Sequence, residues 1–119
     1  MAEPTTHEGG CHCGRVRYEA KADLGHVMSC NCSICQKHGL MLTFIPADQF
    51  KLVSGEDALC DYQFNKMKVH HLFCRHCGVE SFARGSKPDG TAMIAVNVRC
   101  LDGVDTASLS PTTFDGKSL

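Results

Sequence analysis

Two short cysteine motifs decide how this chain can fold: Cys11-His12-Cys13-Gly14 and Cys74-Arg75-His76-Cys77-Gly78. Each motif supplies two thiols in a tight turn, and the glycine that follows relieves the bend. A structural zinc site takes four such ligands in a tetrahedron. Pairing the motifs therefore predicts one Cys₄ site that ties the N-terminal part of the chain to a distant strand. Metal affinity would then become folding free energy.

A third cysteine motif lies between these two and offers three thiols, in the order Cys30-Asn31-Cys32-Ser33-Ile34-Cys35. Catalytic zinc sites typically use three protein ligands and leave one position open. Cys30, Cys32 and Cys35 could therefore hold a second, open zinc ion. From the residues alone, a histidine, Cys60 or Cys100 could equally supply the fourth ligand. The second site would then be closed and structural too.

Length, charge and cysteine content bound the class of protein. The chain has 119 residues, which is one domain's length, and 12 basic against 13 acidic residues give a net charge of −1. Nothing in this balance favours nucleic acid or an anionic membrane surface, and no apolar run is long enough to span a bilayer. The first residues lack the features of a secretory signal, so a cytoplasmic location is expected. Thiols stay reduced there, which favours metal binding over disulfides.

The periodicity of the sequence favours a mostly β fold. Residues 15–22 alternate, with Val16, Tyr18 and Ala20 on one face, and short strands are also indicated over 41–45, 50–53 and 91–98. Residues 32–38 could form a helical turn that ends at Gly39. Frequent turn signals predict a β-sandwich or small open barrel, and the region from Asp102 onward is weakly patterned.

The remaining polar residues and isolated cysteines are not expected to form part of a functional site. At most one of His70 and His71 would face inward on an alternating strand. His38 could line a pocket, but a solvent position is expected. Glu80 could reach a site, but a surface carboxylate is expected. Cys60 and Cys100 are isolated and are expected to be small buried apolar residues. No general acid or base stands out in the sequence.

The ordered motifs resemble a known family. Residues 9–18 (GGCHCGRVRY), 30–35 (CNCSIC), 73–78 (FCRHCG), 50–56 (FKLVSGE) and 100–102 (CLD) are similar to the glutathione-dependent formaldehyde-activating enzymes, a family that includes centromere protein V. The resemblance implies a single domain over residues 8–116, with tails at 1–7 and 117–119. It also implies an Mss4-like zinc-binding fold of short antiparallel strands.

The resemblance further implies a division of the thiols between two zinc ions. Cys11, Cys13, Cys74 and Cys77 would bind a structural zinc, and Cys30, Cys32 and Cys35 would bind a catalytic one. The implied activity is that of a zinc-dependent carbon–sulfur lyase, an S-hydroxymethylglutathione synthase-like enzyme. Its small-molecule partners would be a thiol, such as glutathione, and an aldehyde, such as formaldehyde.

Asn31 marks a departure from the enzyme-like pattern, because many members similar to the enzyme carry histidine there. The motif is closer to the centromere protein V branch, whose members need not share the glutathione reaction. Two alternatives to an enzyme therefore stand beside it. One is a non-enzymatic zinc-stabilised module that binds a protein, and the other is a redox-responsive zinc thiolate.

Overall fold

The computed structural model describes residues 5–30, 33–63, 69–87 and 89–114. The fold is built mainly from short strands, joined by one short α-helix and four single 3₁₀ turns in the described residues. The strands are β1 Thr5–Gly10, β2 Arg17–Ala22, β3 Met28–Cys30, β4 Leu42–Pro46, β5 Phe50–Ser54, β6 Leu59–Tyr62, β7 His70–Cys74, β8 Glu80–Ser86, β9 Ala92–Asn97 and β10 Thr112–Phe114. The helix is α1 Ser33–His38, and the 3₁₀ turns are Ala47–Gln49, Glu56–Ala58, Val98–Cys100 and Thr106–Ser108.

The strands form two sheets. The smaller sheet is antiparallel, in the order β1-β2-β5, and the larger one has the order β10-β3-β4-β9-β8-β7-β6. Neighbours in the larger sheet are antiparallel except β10 and β3, which are parallel. Central strands β8 and β9 align Phe82 with Val96, and both side chains are fully buried.

The main core lies between the two sheets. Tyr18 of β2, Phe50 at the start of β5 and Phe82 of β8 pack with ring centroids 4.7 to 5.8 Å apart. The Tyr18 hydroxyl donates a hydrogen bond of 3.1 Å to the carbonyl oxygen of Ser81. Because the hydroxyl is buried, this bond both satisfies a polar group and fixes one sheet against the other.

Helix α1 forms a third layer on the opposite face of the larger sheet. Its buried residue, Cys35, packs with Leu42 of β4, Ala83 of β8 and Ala95 of β9. The helix ends at Gly39, which has φ = 66°, and the backbone N–H of Leu40 bonds to the carbonyl of Cys35 at 3.1 Å. A left-handed glycine with this hydrogen bond is a common helix terminator.

The prediction of a mostly β, Mss4-like fold of short antiparallel strands is confirmed. The structure adds strands at both ends of the described chain. Strand β1 begins at Thr5, within the predicted N-terminal tail, and β10 lies in the weakly patterned region after Asp102. Both strands are held by backbone pairing with β2 and β3, which leaves little signal in side-chain periodicity. Residues 1–4 and 115–119, including the predicted C-terminal tail, lie outside the described residues.

Within the described ranges, no helix combines the length and the hydropathy that a bilayer crossing requires.

Candidate metal centre and adjoining cavity

Four cysteine sulfurs meet at one edge of the fold. Cys11 follows β1, Cys13 lies in the next turn, Cys74 ends β7 and Cys77 lies in the turn before β8. All four Sγ atoms lie within 4.8 Å of one another. The distances from the Cys13 Sγ to the Cys11 Sγ and to the Cys74 Sγ are both 3.6 Å. The two motifs that are distant in the sequence therefore form one group.

The geometry of this group suits a tetrahedral metal ion. Sulfurs that bind one zinc at 2.3 Å lie about 3.8 Å apart along each edge of the tetrahedron. Backbone N–H groups also point at the sulfurs, from Val16 to the Cys11 Sγ and from His76 to the Cys74 Sγ, each at 3.4 Å. Such bonds orient ligands and stabilise negative charge on sulfur. The four cysteines could therefore hold a metal ion.

Two similar backbone loops present these sulfurs. The N–H of Cys11 bonds to the carbonyl of Val16, and the N–H of Cys74 bonds to the carbonyl of Val79, both at 3.1 Å. Each loop therefore closes over six residues, from the cysteine to the valine. The φ angles of Gly14 and Gly78 are 85° and 81°, in the left-handed region that favours glycine. The glycine after each motif thus has a specific conformational role.

The environments of these thiols differ. Hydrogen bonding from the Arg15 backbone N–H lowers the pKa of the exposed Cys13 thiol to about 6. Burial raises the pKa of Cys74, whose side chain is inaccessible to solvent. Metal binding requires thiolates, so binding of a metal ion to this group would release the protons that its thiols carry.

The middle cysteine motif is only partly described. Cys30 ends β3 and is half-buried, and Cys35 lies buried in α1. Both residues line a cavity of about 300 Å³ that Arg99 also borders. Asn31 and Cys32 lie outside the described residues. The described chain thus places two of the three predicted ligands beside one cavity, and the three-thiol site itself stays a prediction.

A larger cavity of about 490 Å³ lies between α1 and strands β6 to β8. Helix α1 contributes Ser33, Ile34, Lys37 and His38 to its wall, and Phe73 lies on the sheet side. The helix that carries Cys35 thus also forms one side of a space large enough for a small-molecule substrate.

A buried carboxylate joins two histidines in this larger cavity. Glu80 has 2% of its side chain exposed. Its Oε1 lies 3.1 Å from His38 Nδ1, and its Oε2 lies 2.8 Å from His71 Nδ1. All three residues line the cavity. Burying a carboxylate is costly unless hydrogen-bonding partners compensate it. Buried titratable groups with specific partners in a cavity are typical of functional sites.

One expectation about these residues is corrected by the structure. Glu80 is not a surface carboxylate, because β8 is packed between β7 and β9 and its first four residues are buried. His38 is exposed to solvent, as expected, and its ring also contacts Glu80 in the cavity wall. His71 faces inward while His70 pairs with Asp61 at the surface, in agreement with the expected alternation. The sequence signal that could have indicated the burial of Glu80 is its position at the start of a strand that continues Ser-Phe-Ala.

The two isolated cysteines are half-buried rather than buried. Cys60 lies on β6, and Cys100 closes the 3₁₀ turn after β9. Burial of the Cys100 thiol raises its pKa to about 11, so this thiol stays protonated at neutral pH.

Comparison with known proteins agrees with the sequence motifs. The family model described as "Glutathione-dependent formaldehyde-activating enzyme" matches residues 6–114. A crystal structure of a Rhodobacter sphaeroides protein, a structural-genomics target, superposes with a TM-score of 0.79 at 29% sequence identity. That alignment covers 89% of this chain and 97% of the other. The resemblance seen in the cysteine motifs is confirmed: the chain belongs to the glutathione-dependent formaldehyde-activating enzyme family.

Proposed function

We propose that this protein is a zinc-dependent enzyme of the carbon–sulfur lyase type, which adds a thiol to a small aldehyde. Family membership favours glutathione as the thiol and formaldehyde as the aldehyde. The observation that carries the proposal is the cavity beside α1, which is lined by a buried carboxylate and two histidines. A purely structural zinc module has no need of such a group.

The proposal assigns the metals different tasks. Cys11, Cys13, Cys74 and Cys77 would hold a structural zinc, which their mutual distances suit. Cys30, Cys32 and Cys35 would hold the second zinc, with Cys30 and Cys35 placed at the α1 end of the larger sheet. Zinc with an open position lowers the pKa of a bound thiol and polarises a carbonyl oxygen.

The reaction needs no oxidant and no external group donor. The thiol sulfur forms a bond to the aldehyde carbon, the carbonyl π bond breaks, and the proton lost by sulfur ends on the new hydroxyl oxygen. The protein's own contributions are to hold both reactants together and to exclude bulk water. Holding two reactants in a productive geometry is one of the largest sources of rate enhancement.

Exchange spectroscopy tests this function directly. Carbon-13 formaldehyde and glutathione interconvert with their adduct without catalyst, and NMR measures the exchange rate at equilibrium. We expect the zinc-loaded wild-type protein to raise that rate and the Cys30→Ser variant to leave it at the uncatalysed value. S-methylglutathione, which lacks the thiol, is the matched control and should give no adduct.

The exchange measurement, combined with peroxide treatment, distinguishes the enzyme from the two alternative functions. A wild-type protein that binds zinc at both sites but leaves the exchange rate unchanged would contradict the enzyme and favour a non-enzymatic module. Release of zinc from the middle site by mild peroxide, with no acceleration of exchange, would favour a redox-responsive thiolate.

A further inference from the structure

Glu80 is unusually deeply buried for a charged type of residue, with 2% of its side chain exposed. Both carboxylate oxygens are bonded to histidine rings, and its backbone carbonyl accepts a hydrogen bond of 2.9 Å from Asn97 Nδ2. In the described part of the chain, the carboxylate contacts the His38 ring at 3.1 Å and the His71 ring at 2.8 Å. Removing a carboxylate from water costs several kcal/mol, so an apolar residue would serve packing better here.

The hydrogen bonds define what each histidine can do. An ionised carboxylate only accepts hydrogen bonds, so both Nδ1 atoms donate to Glu80. In a neutral imidazole ring the proton acceptor is then Nε2. The two rings differ in access, because 42% of the His38 side chain is exposed and 7% of the His71 side chain is exposed. His38 is therefore the ring that a molecule in the cavity can reach.

This trio is not arranged as a metal site. Among the described residues, the group whose potential ligand atoms all lie within 4.8 Å of one another is the four-cysteine group, not this one. The two histidines approach Glu80 from α1 on one side and β7 on the other. The arrangement is a hydrogen-bonded chain in which a carboxylate orients a ring, as in other acid–base sites.

We propose that His38 is the catalytic acid–base residue of the thiol addition, with Glu80 and His71 as positioning residues. This inference rests on the proposed function. His38 Nε2 takes the proton from the thiol as sulfur forms its bond to the aldehyde carbon. The same nitrogen then gives that proton to the oxygen, which becomes a hydroxyl group. Glu80 stabilises the imidazolium that exists between the two transfers.

His71 holds the second carboxylate oxygen, so that Oε1 stays directed at His38. Among the described residues, the titratable groups that line the cavity together with His38 are Lys37 on α1, Tyr62 on β6, His71 on β7 and Glu80 on β8. Glu80 Oε1 lies 3.1 Å from His38 Nδ1, so Glu80 sets the tautomer of the His38 ring.

The test compares His38→Gln with His70→Gln, a matched change at a histidine outside the cavity. Formaldehyde–glutathione exchange is measured by NMR from pH 5.5 to 8.5, together with zinc content and melting temperature. We expect His38→Gln to lower the catalysed rate by about 10²- to 10³-fold. It should also flatten the pH profile, and its zinc content and melting temperature should not change. His70→Gln should match the wild type in every measurement.

Imidazole rescue distinguishes a catalytic ring from a structural one. In His38→Ala, added imidazole should restore part of the lost rate, whereas a structural role predicts no restoration. A His38→Gln rate within about twofold of wild type would overturn the inference while leaving the proposed function intact, since loss of an acid–base group costs about 10²-fold or more. Absence of any acceleration by the wild-type protein would overturn both.

Discussion

Gly55 combines a left-handed backbone conformation with close backbone neighbours, and both restrict substitution. Its φ is 91°, and an added Cβ would lie 2.3 Å from the Arg15 carbonyl oxygen and 2.6 Å from the Val16 Cα. These neighbours are backbone atoms that lead from the cysteine turn into β2. A side chain at this position would therefore push on the loop that presents Cys11 and Cys13.

We predict that Gly55→Ala destabilises the protein by about 2–4 kcal/mol, combining left-handed strain with overpacking. Gly90→Ala is the matched control, because Gly90 also has φ of 91° but has no atom within 4 Å of an added Cβ. The control should cost about 1–2 kcal/mol, which is the strain alone. Urea unfolding of the two variants checks the difference, and equal losses would contradict the steric part.

At the same scale, the sequence predicted the residues of the cysteine turns better than the buried residues of the cavity. The turn glycines after the cysteine motifs follow from local geometry. The burial of Glu80 does not, because it depends on β7 and β9 closing around β8 and on α1 covering the sheet. Local sequence patterns do not indicate which distant histidines will form hydrogen bonds with a buried carboxylate.

At the scale of elements, three aromatic rings pack together between the two sheets. Phe82 of β8 is fully buried and packs its ring against Tyr18 and Phe50 of the smaller sheet. We predict that Phe82→Ala lowers the free energy of unfolding by about 3–5 kcal/mol, because it leaves a cavity between the sheets.

The control for this prediction is Phe44→Ala on β4, where 46% of the residue is exposed. It should cost less than about 1 kcal/mol, since surface positions contribute little. Chemical denaturation of both variants gives the comparison. A Phe82→Ala loss as small as that of Phe44→Ala would mean that the sheets are held mainly by other contacts.

The elements themselves differ in how visible they are in the sequence. Strand β2 alternates because one face is buried, and α1 ends where Gly39 permits a left-handed turn. Strand β10 is three residues long and pairs through its backbone with β3, which precedes it by more than eighty residues. No periodicity over three residues could identify that pairing.

At the scale of the whole molecule, the four-cysteine group joins two segments that are distant in the sequence. It links the turn between β1 and β2 to the turn between β7 and β8, and so connects the two sheets. The sequence predicted this connection because closely spaced thiols carry a specific geometric demand. It could not locate the cavity beside α1, whose walls come from three separate regions of the chain.

We predict that a strong zinc chelator abolishes the cooperative thermal transition of the wild-type protein. Zinc bound by four thiolates contributes on the order of 10 kcal/mol in small domains, which is comparable with the whole stability of a domain this size. Calorimetry with and without chelator measures the effect. Cys60→Ser, outside the four-cysteine group, should melt as the wild type does. An unchanged transition after zinc removal would contradict a structural role for the metal.

The most direct test of the account counts bound zinc by native mass spectrometry and records thermal unfolding on the same samples. The account predicts two zinc ions on the wild-type chain and failure of Cys77→Ser to fold. It predicts that Cys30→Ser keeps one zinc ion and a cooperative transition while losing thiol–aldehyde exchange. A Cys30→Ser variant that unfolds like Cys77→Ser, or that keeps full exchange activity, would contradict the division into a structural and a catalytic metal.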